Sequence, residues 1–220
     1  MNRMAFIAAS MLSFAASAET ATPATPATPE HVRGQVVSVD GSTLTVKSHD
    51  GKTTKLTIAD DVKVSVAEKS DMSDVKDGTF IGTTAVAGKD GTLRAIEVHV
   101  FPDSMRGTGE GHRPWDLRPG SSMTNATVSK IDESGGGQSA STMTNATVSK
   151  VAGRKLSLTY KDGEKTVVVP SNAKVVKIEP GDRSQLKPGV HLFAVATKQP
   201  DGSLRAQRLT IGKDGLVPPM

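Results

Sequence analysis

Gly34-Gln35-Val36-Val37-Ser38-Val39-Asp40-Gly41-Ser42-Thr43-Leu44-Thr45-Val46 decides the fold. Two runs rich in β-branched residues flank Asp40-Gly41, and glycine readily takes the positive φ that tight β-turns need. Leu44 and Val46 alternate with threonines, the period of a strand with one face in a core. The same text returns as Thr147-Val148-Ser149-Lys150-Val151-Ala152-Gly153-Arg154-Lys155-Leu156-Ser157-Leu158. Val36/Val148, Val39/Val151, Gly41/Gly153 and Leu44/Leu156 stay in step.

Working outward, Asp50-Gly51 answers Asp162-Gly163, Val75-Lys76-Asp77-Gly78 answers Leu186-Lys187-Pro188-Gly189, and Asp90-Gly91-Thr92-Leu93-Arg94-Ala95 answers Asp201-Gly202-Ser203-Leu204-Arg205-Ala206. The first copy reads as strands at Val36–Val39, Thr43–Lys47, Lys55–Ile58, Val62–Val66, Thr79–Ala87 and Leu93–Val100. The second reads as strands at 147–151, 155–161, 165–169, 174–178, 190–197 and 204–211. No helix is expected beyond a turn or two in Ala67–Val75. The expected fold is all-β: two tandem small β-barrels of about six strands each, since closure removes exposed edges. Leu44, Val46, Leu56 and Ile58 would line one core, and Leu156, Leu158, Val168 and Ile178 the other.

Met1-Asn2-Arg3, an apolar run to about Ala16 and Ala16-Ser17-Ala18 have the order of a secretory signal peptide. Cleavage after Ala18 and a periplasmic or secreted location are expected. The apolar run is shorter than the ~20 residues of a membrane span, so no transmembrane segment is expected. Residues 19–30 hold a Pro/Thr/Ala tether, which cannot build a core. The first barrel then occupies 31–100, a Gly-rich junction 101–142, the second barrel 143–212 and a tail 213–220. With no cysteine in the chain, stability must come from sheet packing.

The junction holds the only tryptophan, Trp115, and Met123-Thr124-Asn125-Ala126-Thr127-Val128-Ser129-Lys130, which recurs unchanged as Met143 to Lys150. Spacing assigns the strand to the second of these. Val36 to Leu44 is eight residues, as is Val148 to Leu156, whereas Gly136 stands where the first copy would need its leucine. Residues 123–130 are therefore expected to be a spare.

The order Gly-x-Val-x-x-Val-Asp-Gly-Ser-Thr-Leu-Thr-Val, then Asp-Gly-Lys-Thr, then Val75-Lys76-Asp77-Gly78, then Asp-Gly-Thr-Leu-x-Ala resembles a bacterial secreted domain-of-unknown-function family. The likeness covers 32–100 well and 143–211 more loosely, where Pro170 and Pro180 interrupt it. It implies small β-barrels of the oligonucleotide/oligosaccharide-binding type. Its motifs are turns and core positions, which carry no activity.

Charge is uneven. Lys and Arg against Asp and Glu number 9 and 10 in 31–100, 4 and 5 in 101–142, and 13 and 6 in 143–220. A net +7 on the second copy points to an anionic partner, an envelope polymer or a lipid head group; charges of this size also serve solubility. Lys174, Lys177, Arg183, Lys187, Lys198 and Arg208, with Trp115, are the candidate contacts. Arg205 is set aside, because Arg94 fills the same triplet in the near-neutral copy.

Catalytic signatures are missing: there is no Gly-x-Ser-x-Gly elbow and no thiol. Gly51-Lys52-Thr53 lacks the upstream glycine and the helix of a phosphate loop. The five histidines show no ligand spacing, although His99, Met105 and His112 could meet near the junction as a soft-metal site. Few aromatics survive for base stacking, so nucleic acid is not an expected partner. The expectation is an exported, non-enzymatic binding or structural module of the envelope with no cofactor. The rivals are a metal-handling accessory and an enzyme.

Overall fold

The computed structural model describes residues 29–89, 91–134 and 153–220. The expected signal peptide, most of the expected tether and the octapeptide at 143–150 lie outside the described residues. The first copy supplies β1 (Glu30–Asp40), β2 (Thr43–Lys47), β3 (Thr53–Lys69), β4 (Phe80–Ala87) and β5 (Leu93–Val100). β6 (Gly111–Pro114) and β7 (Ser121–Ser134) follow. The second copy gives β8 (Gly153–Tyr160), β9 (Gly163–Val169), β10 (Lys174–Pro180), β11 (His191–Lys198) and β12 (Leu204–Gly212). Short 3-10 turns at Met72–Asp74 and Arg183–Gln185 are N-capped by Asp71 and Asp182. Among the described residues no helix is long and apolar enough to cross a membrane.

The strands do not sort by copy. β1 pairs with β2 and β2 with β3, but the ring is completed by the second copy: β11 lies antiparallel to β1, and β12 parallel to β3. The result is a closed five-stranded barrel. Its core joins Val36, Leu44, Leu56 and Ile58 to Leu192, Ala194 and Leu209. A second five-stranded ring is built the opposite way. β7, β8 and β9 are closed by β4 and β5 of the first copy, through β4–β7 and a short parallel pairing of Leu93 and Arg94 with Val167 and Val168. The expected tandem of 31–100 and 143–212 as separate units is thus corrected to an exchange of two strands each way.

The exchange follows from strand length. Residues 55–58 and 62–66, expected as two strands, form one 17-residue β3, about 56 Å at ~3.3 Å per residue. The chain therefore leaves the first ring before it reverses, and β4 and β5 are delivered to its neighbour. In the second copy Pro170 interrupts the same run, leaving β9 and β10 separate. β3 and β10 pair antiparallel from Val176↔Lys69 to Pro180↔Ser65, centred on Ala67↔Ile178. Ala67 and Ile178 stand at the same distance from the N-caps Asp71 and Asp182, so this pair marks a pseudo-two-fold between the copies.

Leu44, Val46, Leu56, Ile58, Leu156 and Leu158 are core, as expected. The other two are corrected. Val167 and Val169, not Val168, point into the second core, and Ile178 packs between the rings with Ala67, Val176, Phe193 and Met220. The tail expected at 213–220 also belongs to that layer: Pro218, Pro219 and Met220 are buried, and Arg33 Nε donates to Met220 O.

The expected spare octapeptide is a working strand. β7 pairs with β4 on one edge and with β6 and β8 on the other. Val128 does for the second ring what Val36 does for the first: Gly78 N donates to Val128 O and Val128 N to Thr79 O, as Gly189 N does to Val36 O and Val36 N to Val190 O. Spacing misled because an insertion between paired strands costs only slowly growing loop entropy. Ile131 pairs with Leu156, taking the place expected for Val151. Val128 is 1% exposed, and Val128→Asp should lower stability by about 3 kcal/mol or more, from lost apolar burial and a buried carboxyl. Val148→Asp should cost far less in the same denaturant titration. Loss at Val148 alone would mean that the second octapeptide holds the strand.

Candidate functional site

Of the expected site residues, Trp115 sits in one cluster and Lys174 in a cleft, while the other cations lie apart. Trp115 sits in the turn after β6, where Ser121 Oγ donates to Trp115 O and Trp115 N to Ser121 O, both at 2.9 Å. Its ring lies 4.4 Å from that of His31 and 6.1 Å from that of Phe193, with Arg113 over it at 5.4 Å. Asp116 takes a two-pronged contact from Arg33 at 2.6 and 3.2 Å and lies 2.9 Å from His31 Nδ1. Trp115 therefore clamps the inserted hairpin to the barrel instead of presenting a free contact face.

A second cluster is buried on the outer face of β4, β5 and β7. Thr84 Oγ1 donates to Glu97 Oε1 at 2.7 Å, and His99 Nε2 lies 3.4 Å from the same oxygen. The expected metal trio is not assembled. His99 is in register with Gly82, and Gly82 with Asn125, whereas His112 is in register with Thr124 and bonds its hydroxyl at 2.8 Å. Asn125 and Thr124 are consecutive in a regular strand, so His99 and His112 stand on opposite faces. Burial, then the charges of Lys165 and Arg113, lowers the His112 pKa. Among the described residues no group of three or more His, Cys, Asp or Glu could hold a metal ion.

The basic residues scatter. Lys177 is paired with Glu179 at 2.5 Å, and that hydrogen bond raises its pKa. Arg183 donates to Gly41 O at 3.1 Å and to Asp60 Oδ1 at 3.3 Å. Arg208 lies on β12, and its charge adds to burial in lowering the Arg113 pKa. Lys187 sits in the turn before β11 and Lys198 at the end of β11, both exposed. Lys174 alone of the expected set lines the principal cleft.

That cleft measures about 980 Å³ and lies where the copies meet. Its walls are the end of β3 with the following turn, the start of β8, the β9–β10 connection and Gly215–Pro219. Lys69 pairs in register with Val176, and Lys174 lies two residues further along the same face, within the ~7–8 Å of diagonal neighbours. Both lysines are exposed, and neither is ion-paired among the described residues. Arg154 enters from β8, donating Nη1 to Met72 O at 3.0 Å. The acid in the lining, Asp71, accepts from Ser73 N at 2.7 Å, and hydrogen bonds from Ser73 hold its carboxyl below the usual range. β8 begins close under this cleft, since a Cβ at Gly153, whose φ is +147°, would lie 2.6 Å from Val169 O.

The two ends of the pseudo-symmetric molecule differ here. In the first ring Arg183 crosses the corresponding groove to Asp60 and Gly41. In the second, the counterparts of Arg183 and Asp60 are Met72 and Ser171, and Arg154 makes the crossing instead, to Met72 O, its charge adding to the Ser73 hydrogen bonds that lower the Asp71 pKa. Lys69 was missed because it belongs to the near-neutral copy, and Arg154 because it opens a hairpin read as a turn. No protein family, curated protein or solved structure matches the chain.

Burial raises the Asp116 pKa, but hydrogen bonds from Arg33 and His31 outweigh it and hold the carboxyl below its ordinary 3.8. The contact therefore stabilises above about pH 3.8 and fades as pH falls through the lowered folded value. For this half-exposed pair the effect should stay under about 1 kcal/mol. Asp116→Asn should melt about 2–4 °C or less below wild type at pH 7, with the gap closing in acid. A gap that persists to pH 2 would show that charge is not what pins the Trp115 turn.

Proposed function

We propose that this chain is an exported, non-enzymatic binding module of the cell envelope, with rings of the oligonucleotide/oligosaccharide-binding type, and that the cleft between the copies receives an anionic group. One observation carries the reading. Lys69 and Lys174, neither ion-paired among the described residues, line one cleft together with Arg154. The five-stranded Greek-key barrel is a fold in which such surfaces bind oligomeric ligands, and the +7 of the second copy supports attraction of an anion from solution.

The site residues under this proposal are Lys69, Arg154 and Lys174, replacing the broader set of second-copy cations. Sulfated dextran is a suitable probe, titrated against the full chain at low and physiological salt. Lys69→Gln with Lys174→Gln should weaken binding about tenfold, about 1.4 kcal/mol, and flatten its salt dependence. Lys187→Gln with Lys198→Gln should leave binding within about twofold. Equal losses from both pairs would make the attraction a property of net charge and overturn the cleft as its seat.

A further inference from the structure

Resting on that reading, we infer that the occupant of the cleft is a single-chain acyl amphiphile, its carboxylate or phosphate head between Lys69, Lys174 and Arg154 and its chain along the wall formed by residues 215–219. The lining argues against other anions. Among the described residues that form it there is no aromatic side chain, and stacking platforms are what single-stranded nucleic acid needs. The rest of the lining is largely aliphatic instead, with Ala173, Val175, Leu216, Val217 and Pro219 among its residues. A cleft lined both by cations and by aliphatic side chains matches a ligand that carries an anionic head and an apolar chain.

The wall is built, not a loose end lying against the surface. Lys213 Nζ bonds Glu68 Oε2 at 2.8 Å, and this pairing lowers the Glu68 pKa and raises that of Lys213. A 3-10 turn at Lys213–Gly215 folds back so closely that a Cβ at Gly212 would lie 1.6 Å from Leu216 O. Leu216 and Met220 then pack into the layer between the rings. With the wall held at both ends, Val217 is left 58% exposed on the cleft. Only two other large apolar side chains are exposed among the described residues, Val37 and Val39 on β1. Val217 adds apolar surface to the lining of the cleft.

Isothermal titration of the full chain with dodecyl phosphate below its micellar concentration tests this, with ethyl phosphate supplying the head alone and dodecyl maltoside the chain alone. Dodecyl phosphate should bind one to one and at least about thirtyfold tighter than either control, and dodecanoate should compete. Leu216→Asn should weaken dodecyl phosphate about tenfold and leave sulfated dextran unchanged, whereas Lys69→Gln with Lys174→Gln should weaken both. If sulfated dextran binds at the cleft but dodecyl phosphate is no tighter than ethyl phosphate, the acyl assignment is wrong and the anion site stands. If neither binds, both readings fall. Uptake of many dodecyl phosphates per chain, unaffected by Leu216→Asn, would also overturn the acyl site.

Discussion

The parallel pairing of β12 with β3 is the contact on which the rest depends. Eight residue pairs, from Leu204↔Leu56 to Gly212↔Ala67, join the last strand of the chain to the third. They close the first barrel and commit β4 and β5 to the other ring. Parallel strands cannot be joined by a tight turn, so the partner must come from a distant stretch of chain. In a duplicated sequence two such stretches exist. The uninterrupted β3 selects the far one by carrying the chain past its own ring. The result has the logic of a domain-swapped dimer within one chain, with the Ala67–Ile178 pair near its pseudo-two-fold.

Exchange makes the space between the rings a structural layer. Phe193, Ile178, Val176 and Met220 come together there, and the Trp115 turn reaches across to His31 and Arg33 through Trp115 and Asp116. The tail is drawn into the same layer, so its residues become a wall of the cleft. Duplication with divergence then separates the two grooves. One is crossed by Arg183, paired with Asp60, and the other by Arg154, with Lys69 of one copy and Lys174 of the other beside it. A charge asymmetry spread along the sequence becomes a local one only because strands change hands.

Much of the fold was legible in the residues. Alternation in Thr43–Val46 and Lys55–Ile58, and glycine at the hairpin turns, marked strands that exist and core side chains that are buried. What was not legible was partnership. Two copies with equivalent strands offer equivalent interfaces, and no local pattern states which copy closes which ring. The same degeneracy hid the identity of β7, because identical octapeptides make identical contacts and differ only in loop length, a weak determinant. Of the expected cationic contacts, Lys174 alone lines the cleft, since counting charge by copy left out Lys69, and Trp115 could not be distinguished from a surface aromatic without its partners.

Strand exchange is tested most directly by cross-linking, which suits a chain without cysteine. Gln35 lies opposite His191 across β1 and β11, whereas in an unexchanged tandem its partner would be Phe80, the counterpart of His191. Gln35→Cys with His191→Cys should oxidise to an intramolecular disulfide in the folded monomer, detected by intact mass and mobility. Gln35→Cys with Phe80→Cys should stay reduced under the same conditions. A disulfide in the second pair and none in the first would show that each copy closes its own barrel, and would contradict the architecture on which the cleft depends.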